Sequence, residues 1–324
     1  MICSRIISKR IRNASVIFKR DFQQNKIEIT KPEITEIQIK VPWGIVAGKL
    51  WNSSQDQQPI LALHGWQDNA GSFDLLAPLL KNHSILAIDM PGHGFSSWLP
   101  KGIPYEDTTT ILLIQRLKRH FKWQKIKFLG HSAGALVSFI YASLYPEDTQ
   151  FVIALDSLQY KPIIDVAKHN CEYAKNIDKF VDLEMKNTSI PSYKEDEFIK
   201  KWITGTNNSL NETTVKIMMI RGAKKMKDKT FIFNRDPRVK LNIPLRVIYT
   251  RKYLEKMSRL IKCPYLVLRS FTTSDDEFSS NIIEIMKTNC QEFSIVSMFG
   301  THHLHLTNAN SVAETLKPFL ESHG

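Results

Sequence analysis

The sequence predicts an α/β fold, with a mostly parallel central sheet, helices on both faces and an inserted helical cap. Three observations predict it. Short continuous apolar runs recur at the length of strands buried on both faces, and segments of helical periodicity separate them. The run ending in Phe128-Leu129 breaks into Gly130-His131-Ser132-Ala133-Gly134 and resumes as an apolar helix. The alternating β/α plan places the informative loops at the strands' carboxyl ends, where such folds build their sites.

Each element has a local reason. Residues 34–41 and 44–51 alternate apolar and polar positions around Pro42-Trp43-Gly44, the pattern of two antiparallel strands joined by a turn. The runs 59–63, 84–88, 126–129, 151–155 and 265–268 read as buried parallel strands, and 293–298 as the last strand. Helices are expected over 73–81, 108–121, 135–143 and 309–320. Between 157 and 260 the alternation lapses into Lys- and Glu-rich helical stretches, such as 166–185. This segment is the expected cap, so the core is assigned to residues 31–156 and 261–324. The cap residues Phe180, Phe198, Trp202 and Met218 could line an acyl pocket, but at helical spacing they read better as the cap's own core.

The 324 residues are enough for one large α/β domain with a substantial core. No apolar stretch approaches the roughly 20 residues of a membrane span. Of the net charge of +12, residues 157–262 account for nearly all, with 23 Lys/Arg against 12 Asp/Glu, and the flanks are almost neutral. Such a field would draw acidic partners or anionic substrates, although a solvated basic face explains it more simply. Aromatics do not interleave with the charges as a nucleic-acid stacking platform requires, so no nucleic acid is expected. The four cysteines are scattered, which suits a reducing compartment and a cytoplasmic protein. Residues 1–30 form a basic tail carrying Arg5, Lys9, Arg10, Arg12, Lys19 and Arg20. Interleaved isoleucines there resemble a mitochondrial presequence, the alternative location.

The chemistry centres on Ser132. Glycines on either side of a serine let a strand turn sharply into a helix and expose the hydroxyl at the tip. A serine hydroxyl attacks an acyl carbon only with a general base and a group that orients that base. Gly300-Thr301-His302-His303-Leu304-His305 concentrates three histidines directly after the last strand. Three histidines so close in sequence do not readily converge on one metal ion without partners, so a triad base is the better reading. No metal or cofactor is implied. Leu63-His64-Gly65-Trp66 follows the third strand, where a loop turns back over the nucleophile. The backbone N–H groups of Trp66 and Ala133 are the candidate oxyanion donors. His64 and His93 read as loop-bracing histidines.

These residues resemble the α/β-hydrolase superfamily. His64-Gly65, Asp89-x-Pro91-Gly92-His93-Gly94-x-Ser96, Gly130-x-Ser132-x-Gly134 and His302 occur in its order along nearly the whole chain. Within it, residues 64–74 are similar to the serine hydrolase-like proteins related to the insect protein kraken. The resemblance implies that His302 is the base, with His303 and His305 shaping the pocket or the structure. Many members carry their acid a few residues past the strand 265–268, where this chain has Arg269-Ser270-Phe271-Thr272-Thr273, with Asp275 and Asp276 beyond. Some haloalkane dehalogenases carry it instead at the strand end where Asp156 stands. Asp156 is chosen over Asp275, whose acidic, Ser/Thr-rich loop reads equally well as solvated surface.

The expected function is that of a serine hydrolase cleaving an ester-like small molecule, a carboxylic ester or thioester, through an acyl-enzyme. A non-catalytic ligand-binding relative and an acyltransferase are the alternatives. Serine at the elbow argues against epoxide hydrolase and haloalkane dehalogenase chemistry, which in this superfamily uses a carboxylate nucleophile. The oligomeric state does not follow from the sequence.

Overall fold

The alternating segments at the start of the core form a hairpin of β1 (Ile34–Val41) and β2 (Gly44–Trp51), paired antiparallel with Ile39 opposite Val46. This computed structural model describes residues 34–53, 57–185, 190–241, 249–273 and 279–324. The basic tail of residues 1–30 lies outside the described residues, as do Asp275 and Asp276. The apolar runs follow as β3 (Ile60–Leu63), β4 (Ile85–Ile88), β5 (Ile126–His131) and β6 (Thr149–Leu155). Helix α1 (Asp107–Phe121) precedes β5, and α2 (Ala133–Leu144) starts directly after the elbow.

Then come α3 (Val166–Met185), α4 (Glu195–Gly205), α5 (Glu212–Gly222), a small antiparallel pair β7 (Ala223–Lys225) and β8 (Phe231–Phe233), and α6 (Arg251–Ser258). The chain closes with β9 (Tyr265–Ser270), α7 (Ser280–Asn289), β10 (Phe293–Met298), a single turn α8 (Leu304–Thr307) and α9 (Ala309–His323).

Among the described residues, eight strands make one sheet in the order β1-β2-β4-β3-β5-β6-β9-β10. Six of them, from β4 to β10, run parallel, and the hairpin joins antiparallel through β2. The period of two sends alternate side chains to opposite faces. Leu61, Leu63, Phe128, Val152 and Val267 pack with residues of α1, α2, α6 and α7, among them Leu113, Val137, Leu254 and Met286. Ala62, Ile153, Leu155, Leu266 and Leu268 pack on the other face with Phe73, Leu76, Val312 and Leu316. Both faces are covered, which is why the strand sequences read as unbroken apolar runs. Each fully buried side chain of this size contributes about 1.5–3 kcal/mol.

Two expectations need correction. The helix expected over 73–81 is instead two 3₁₀ turns, Ala70–Phe73 and Ala77–Leu79. Pro78 has no N–H to continue an α-helix, and it sits at the start of the second turn. The segment 157–260 is also not uniform. Phe198, Trp202, Leu210, Val215 and Met218 form a separate small core with Phe231 and Phe233, whereas Leu254 and Met257 of α6 belong to the main one.

The smaller core is tied to the sheet through charge. Arg221, at the end of α5 and 1 % exposed, donates from Nε and Nη2 to Asp89 just past β4, at 3.0 and 2.7 Å. Its Nη1 reaches Glu36 of β1 at 2.6 Å. Replacing Asp89 by Ala removes the buried partner of this guanidinium and leaves it only the half-exposed Glu36, a loss of about 3–5 kcal/mol. Urea unfolding of that variant is expected to show a loss of this size, and an unchanged midpoint would contradict the assignment.

Candidate active site

The elbow is built by clearance. A Cβ on Gly134 would stand 2.1 Å from the Leu63 carbonyl oxygen of the neighbouring strand, and one on Gly130 would stand 2.6 Å from Ala135 N. Only glycine at both positions lets α2 start directly at the end of β5 and against the neighbouring β3. Ser132 takes the strained turn itself, with φ +50° and ψ −114°, and its N–H donates to the Leu155 carbonyl at 3.0 Å. Asp156 (φ +56°) and Gln67 (φ +66°), each beside another candidate site residue, are also left-handed. Such non-glycine strain concentrates at functional sites.

Register brings the triad candidates to one end of the sheet. His131 pairs with Leu155 and Leu155 with Leu268, so Ser132 and Asp156 leave adjacent strands at the same level. His302 returns in the loop after β10. Its Nδ1 meets Asp156 Oδ2 at 2.7 Å, and the side chain keeps 41 % of its surface exposed while that of Asp156 is fully buried. Asp156 also accepts from the Ser270 N–H at 2.7 Å and from Thr273 Oγ1 at 2.7 and 2.8 Å. That shell fixes the carboxylate plane that orients the imidazole. The residues Ser270 and Thr273, read from sequence as occupying the place of a missing acid, are hydrogen-bond partners of Asp156 on the neighbouring strand.

Trp66 follows β3 by three residues, and its indole N–H donates to the Val239 carbonyl at 2.6 Å. Trp66, Ser132 and Ala133 line one cavity of about 290 Å³. Ala133 is the first residue of α2, where backbone N–H groups have no intrahelical acceptor and the helix dipole favours negative charge. The wall also includes Met90, Leu136, Val137, Val239 and Leu241, with His93, Tyr105, Tyr160, Glu106 and Asp107. Tyr105, Tyr160 and Val239 carry no local sequence signal for this role, because they come from three distant segments. Phe180, Phe198, Trp202 and Met218 do not line the cavity, and the last three form the small core described above.

The remaining histidines have structural partners. His64 accepts from the Met90 N–H at Nε2 (3.0 Å), so its Nδ1–H donates to the Gly65 carbonyl at 2.7 Å, and the loops after β3 and β4 are braced together. His93 Nδ1 lies 3.0 Å from the Pro91 carbonyl. His131 Nε2 donates to the His302 carbonyl at 2.9 Å. His303 Nδ1 bonds Ser209 Oγ, and its Nε2 lies 3.3 Å from Asp68 Oδ2. His305 packs against His131 with ring centroids 4.2 Å apart and the ring planes inclined by 45°.

Burial holds the rings of His64, His93, His131 and His305 neutral. It pushes the His93 imidazole down to about 3 and that of His131 down to about 4, and it lowers His64 and His305. The unfolded chain takes up protons below pH 6.5 that the native rings refuse. The native state therefore keeps this contribution above pH 6.5 and loses about 1.4 kcal/mol per pH unit per histidine as pH falls towards 4. Chemical denaturation is expected to give a flat midpoint from pH 8 to 7 and a steep fall from 6.5 to 4. A midpoint unchanged across that window would contradict the burial argument.

A family model described as alpha/beta hydrolase fold matches residues 58–177. A probable serine hydrolase of Drosophila melanogaster is 37% identical over 88% of this chain and 87% of its own length. A serine hydrolase-like protein of Danio rerio is 30% identical over 89% of this chain and 88% of its own. Among solved structures, a hypothetical protein of Pseudomonas aeruginosa superposes with a TM-score of 0.76 at 26% identity, covering 88% of this chain and 99% of that one.

Proposed function

Because the chain belongs to the α/β-hydrolase superfamily, we propose that it is a serine hydrolase cleaving an ester-like small molecule, a carboxylic ester or thioester, through an acyl-enzyme. The observation that carries this reading is the 2.7 Å contact of His302 Nδ1 with buried Asp156, beside a serine held in an elbow that faces a cavity. With Nδ1–H given to Asp156, the His302 Nε2 lone pair takes the Ser132 proton. The alkoxide attacks the acyl carbon, and the N–H groups of Trp66 and Ala133 receive the developing oxyanion. His302 then protonates the leaving group and activates the water that releases the acyl chain. Asp156 holds the imidazole in this tautomer and stabilises its charged form without taking the proton.

The cavity narrows the substrate class. Its wall is largely apolar, and among the described residues its charged side chains are Glu106 and Asp107, with no Lys or Arg. A neutral acyl group of modest size suits it better than the anionic substrate that the basic middle of the chain suggests.

A fluorophosphonate probe is expected to label the wild-type chain and to leave Ser132→Ala unlabelled. Failure of a folded wild-type preparation to label would remove the enzyme reading and favour a ligand-binding relative. With a turned-over ester in hand, Asp156→Asn should lower kcat by about 10⁴-fold, through loss of the correct imidazole tautomer. Product analysis with added alcohol or thiol acceptors separates hydrolysis from acyl transfer.

A further inference from the structure

Behind the elbow, three buried side chains from distant segments converge: Asp68 after β3, His131 just before Ser132, and His303 just after His302. Asp68 Oδ2 lies 3.4 Å from His131 Nδ1 and 3.3 Å from His303 Nε2, and all three atoms lie within 4.8 Å of one another. Each residue is at most 4 % exposed. We propose that Asp68, His131 and His303 form a site for a first-row divalent cation of the zinc class.

Four features of the cluster point to a ligand. The first is an unpartnered atom. His131 Nε2 is committed to the His302 carbonyl, which leaves Nδ1 as a buried lone pair with no hydrogen-bond partner, facing a carboxylate oxygen. Two acceptors face each other there, an arrangement that a cation between them relieves. The second is spacing. Bonds of about 2.0–2.1 Å to tetrahedral zinc put ligand atoms about 3.3–3.4 Å apart, the separation of Asp68 from both rings. The third is the shell behind the ligands. A metal-bound histidine gives its other ring N–H to a carbonyl, carboxylate or comparable acceptor. His131 does so to the His302 carbonyl, and His303 has Ser209 Oγ at Nδ1. The fourth is clearance. A Cβ on Gly65 would stand 2.6 Å from Asp68 Oδ2 and 2.7 Å from His131 Nδ1, so the glycine keeps the gap between two of the ligand atoms open.

The chemistry selects the ion. Two imidazole nitrogens and one carboxylate oxygen suit zinc, cobalt or nickel rather than magnesium or calcium, which require oxygen shells. On binding, the neutral His303 ring changes tautomer: its single ring proton leaves Nε2, which faces Asp68, for Nδ1, where Ser209 Oγ accepts it, and the freed Nε2 lone pair binds the ion. The sequence alone favours no such site, because His302, His303 and His305 are too close together to converge by themselves. The fold supplies the partners. The site is separate from the Ser132 chemistry, yet His131 and His303 are the sequence neighbours of Ser132 and His302, so occupancy braces both.

The test is titration of the full-length, chelator-treated chain with cobalt(II), read by visible absorption and therefore independent of turnover. One equivalent is expected to give the intense band of a low-coordinate site with nitrogen ligands. The band should vanish in Asp68→Asn and His303→Gln and persist in Cys171→Ser and His302→Gln, which remove the exposed thiol and the half-exposed histidine as adventitious ligands. No band at one equivalent, or a band that survives in folded Asp68→Asn and His303→Gln, would overturn the proposal. If the ligand variants do not fold, X-ray absorption of the zinc-loaded wild-type chain decides. Two imidazole nitrogens at about 2.0–2.1 Å support the site, and a shell of sulfur or of oxygen alone overturns it.

Discussion

A single buried carboxylate, Asp89, sets the relative positions of everything around the site. It stands just past β4, where its own N–H donates to the Ala47 carbonyl at 2.8 Å. One oxygen accepts from the Ala70 N–H at 2.8 Å and the other from the Phe95 N–H at 2.9 Å, while Arg221 closes on both. Three segments with no covalent reason to meet, namely the loop after β3, the Pro91-to-Ser96 turn and helix α5, are thereby fixed to one point. A buried pair of this kind is weak evidence for net stability, because desolvation cancels much of its Coulomb energy. Its value lies in geometry, since any other arrangement leaves a charge buried and unmatched. Gly94, at φ +50°, follows from the same constraint, because a Cβ there would stand 2.3–2.5 Å from the Asp89 carboxyl group.

From that anchor the loop after β3 has little freedom. His64 ties it to Met90, Asn69 Nδ2 donates to the Met218 carbonyl of α5 at 3.1 Å, and the Trp66 indole reaches Val239 at 2.6 Å. The loop is held on its sheet side by backbone partners and on its outer side by the inserted segment. Arg238 adds a second clamp. It is bidentate to Asp236 and donates to the Leu99 and Pro100 carbonyls and to Glu184. Two of the basic residues that make the middle of the chain look like an anion-attracting surface are thus spent on internal pairing. A charge count along the sequence cannot separate Arg221 and Arg238 from the solvated lysines around them, because the distinction lies in which carboxylates the fold brings near.

What the sequence makes legible is what depends on neighbours along the chain. The elbow is legible because Gly130, Ser132 and Gly134 meet their steric demands within five residues. The parallel strands are legible because burial on both faces leaves unbroken apolar runs. Asp156 is legible only as one of two options, since choosing it requires knowing that β6 lies beside β5 and that Ser270 and Thr273 of the next strand and loop turn towards it. Beyond Trp66, Ser132 and Ala133 the cavity wall is not legible, because Tyr105, Tyr160 and Val239 become neighbours only after the inserted segment folds back. The 3₁₀ turns replace an expected helix for a local reason, the missing N–H of Pro78, which periodicity alone overrides.

Exposure finally sorts four histidines that the sequence places almost together or beside the elbow. A ring that exchanges a proton during turnover must tolerate its charged form, which needs a facing carboxylate and contact with water. His302 has both, with Asp156 at Nδ1 and 41 % of its side chain exposed. His131 and His305 are fully buried, and desolvation holds both rings neutral. His303 shares Asp68, but its other nitrogen is taken by Ser209 and its side chain is 5 % exposed. Four rings of identical chemistry thus divide by solvent contact and by the carboxylate, if any, that each one faces. The two carboxylates, Asp156 and Asp68, lie on opposite sides of the elbow strand, because β3 and β6 flank β5 in the sheet. The strand order therefore does more than support Ser132: it separates a ring that can carry protons from rings suited to hold a cation.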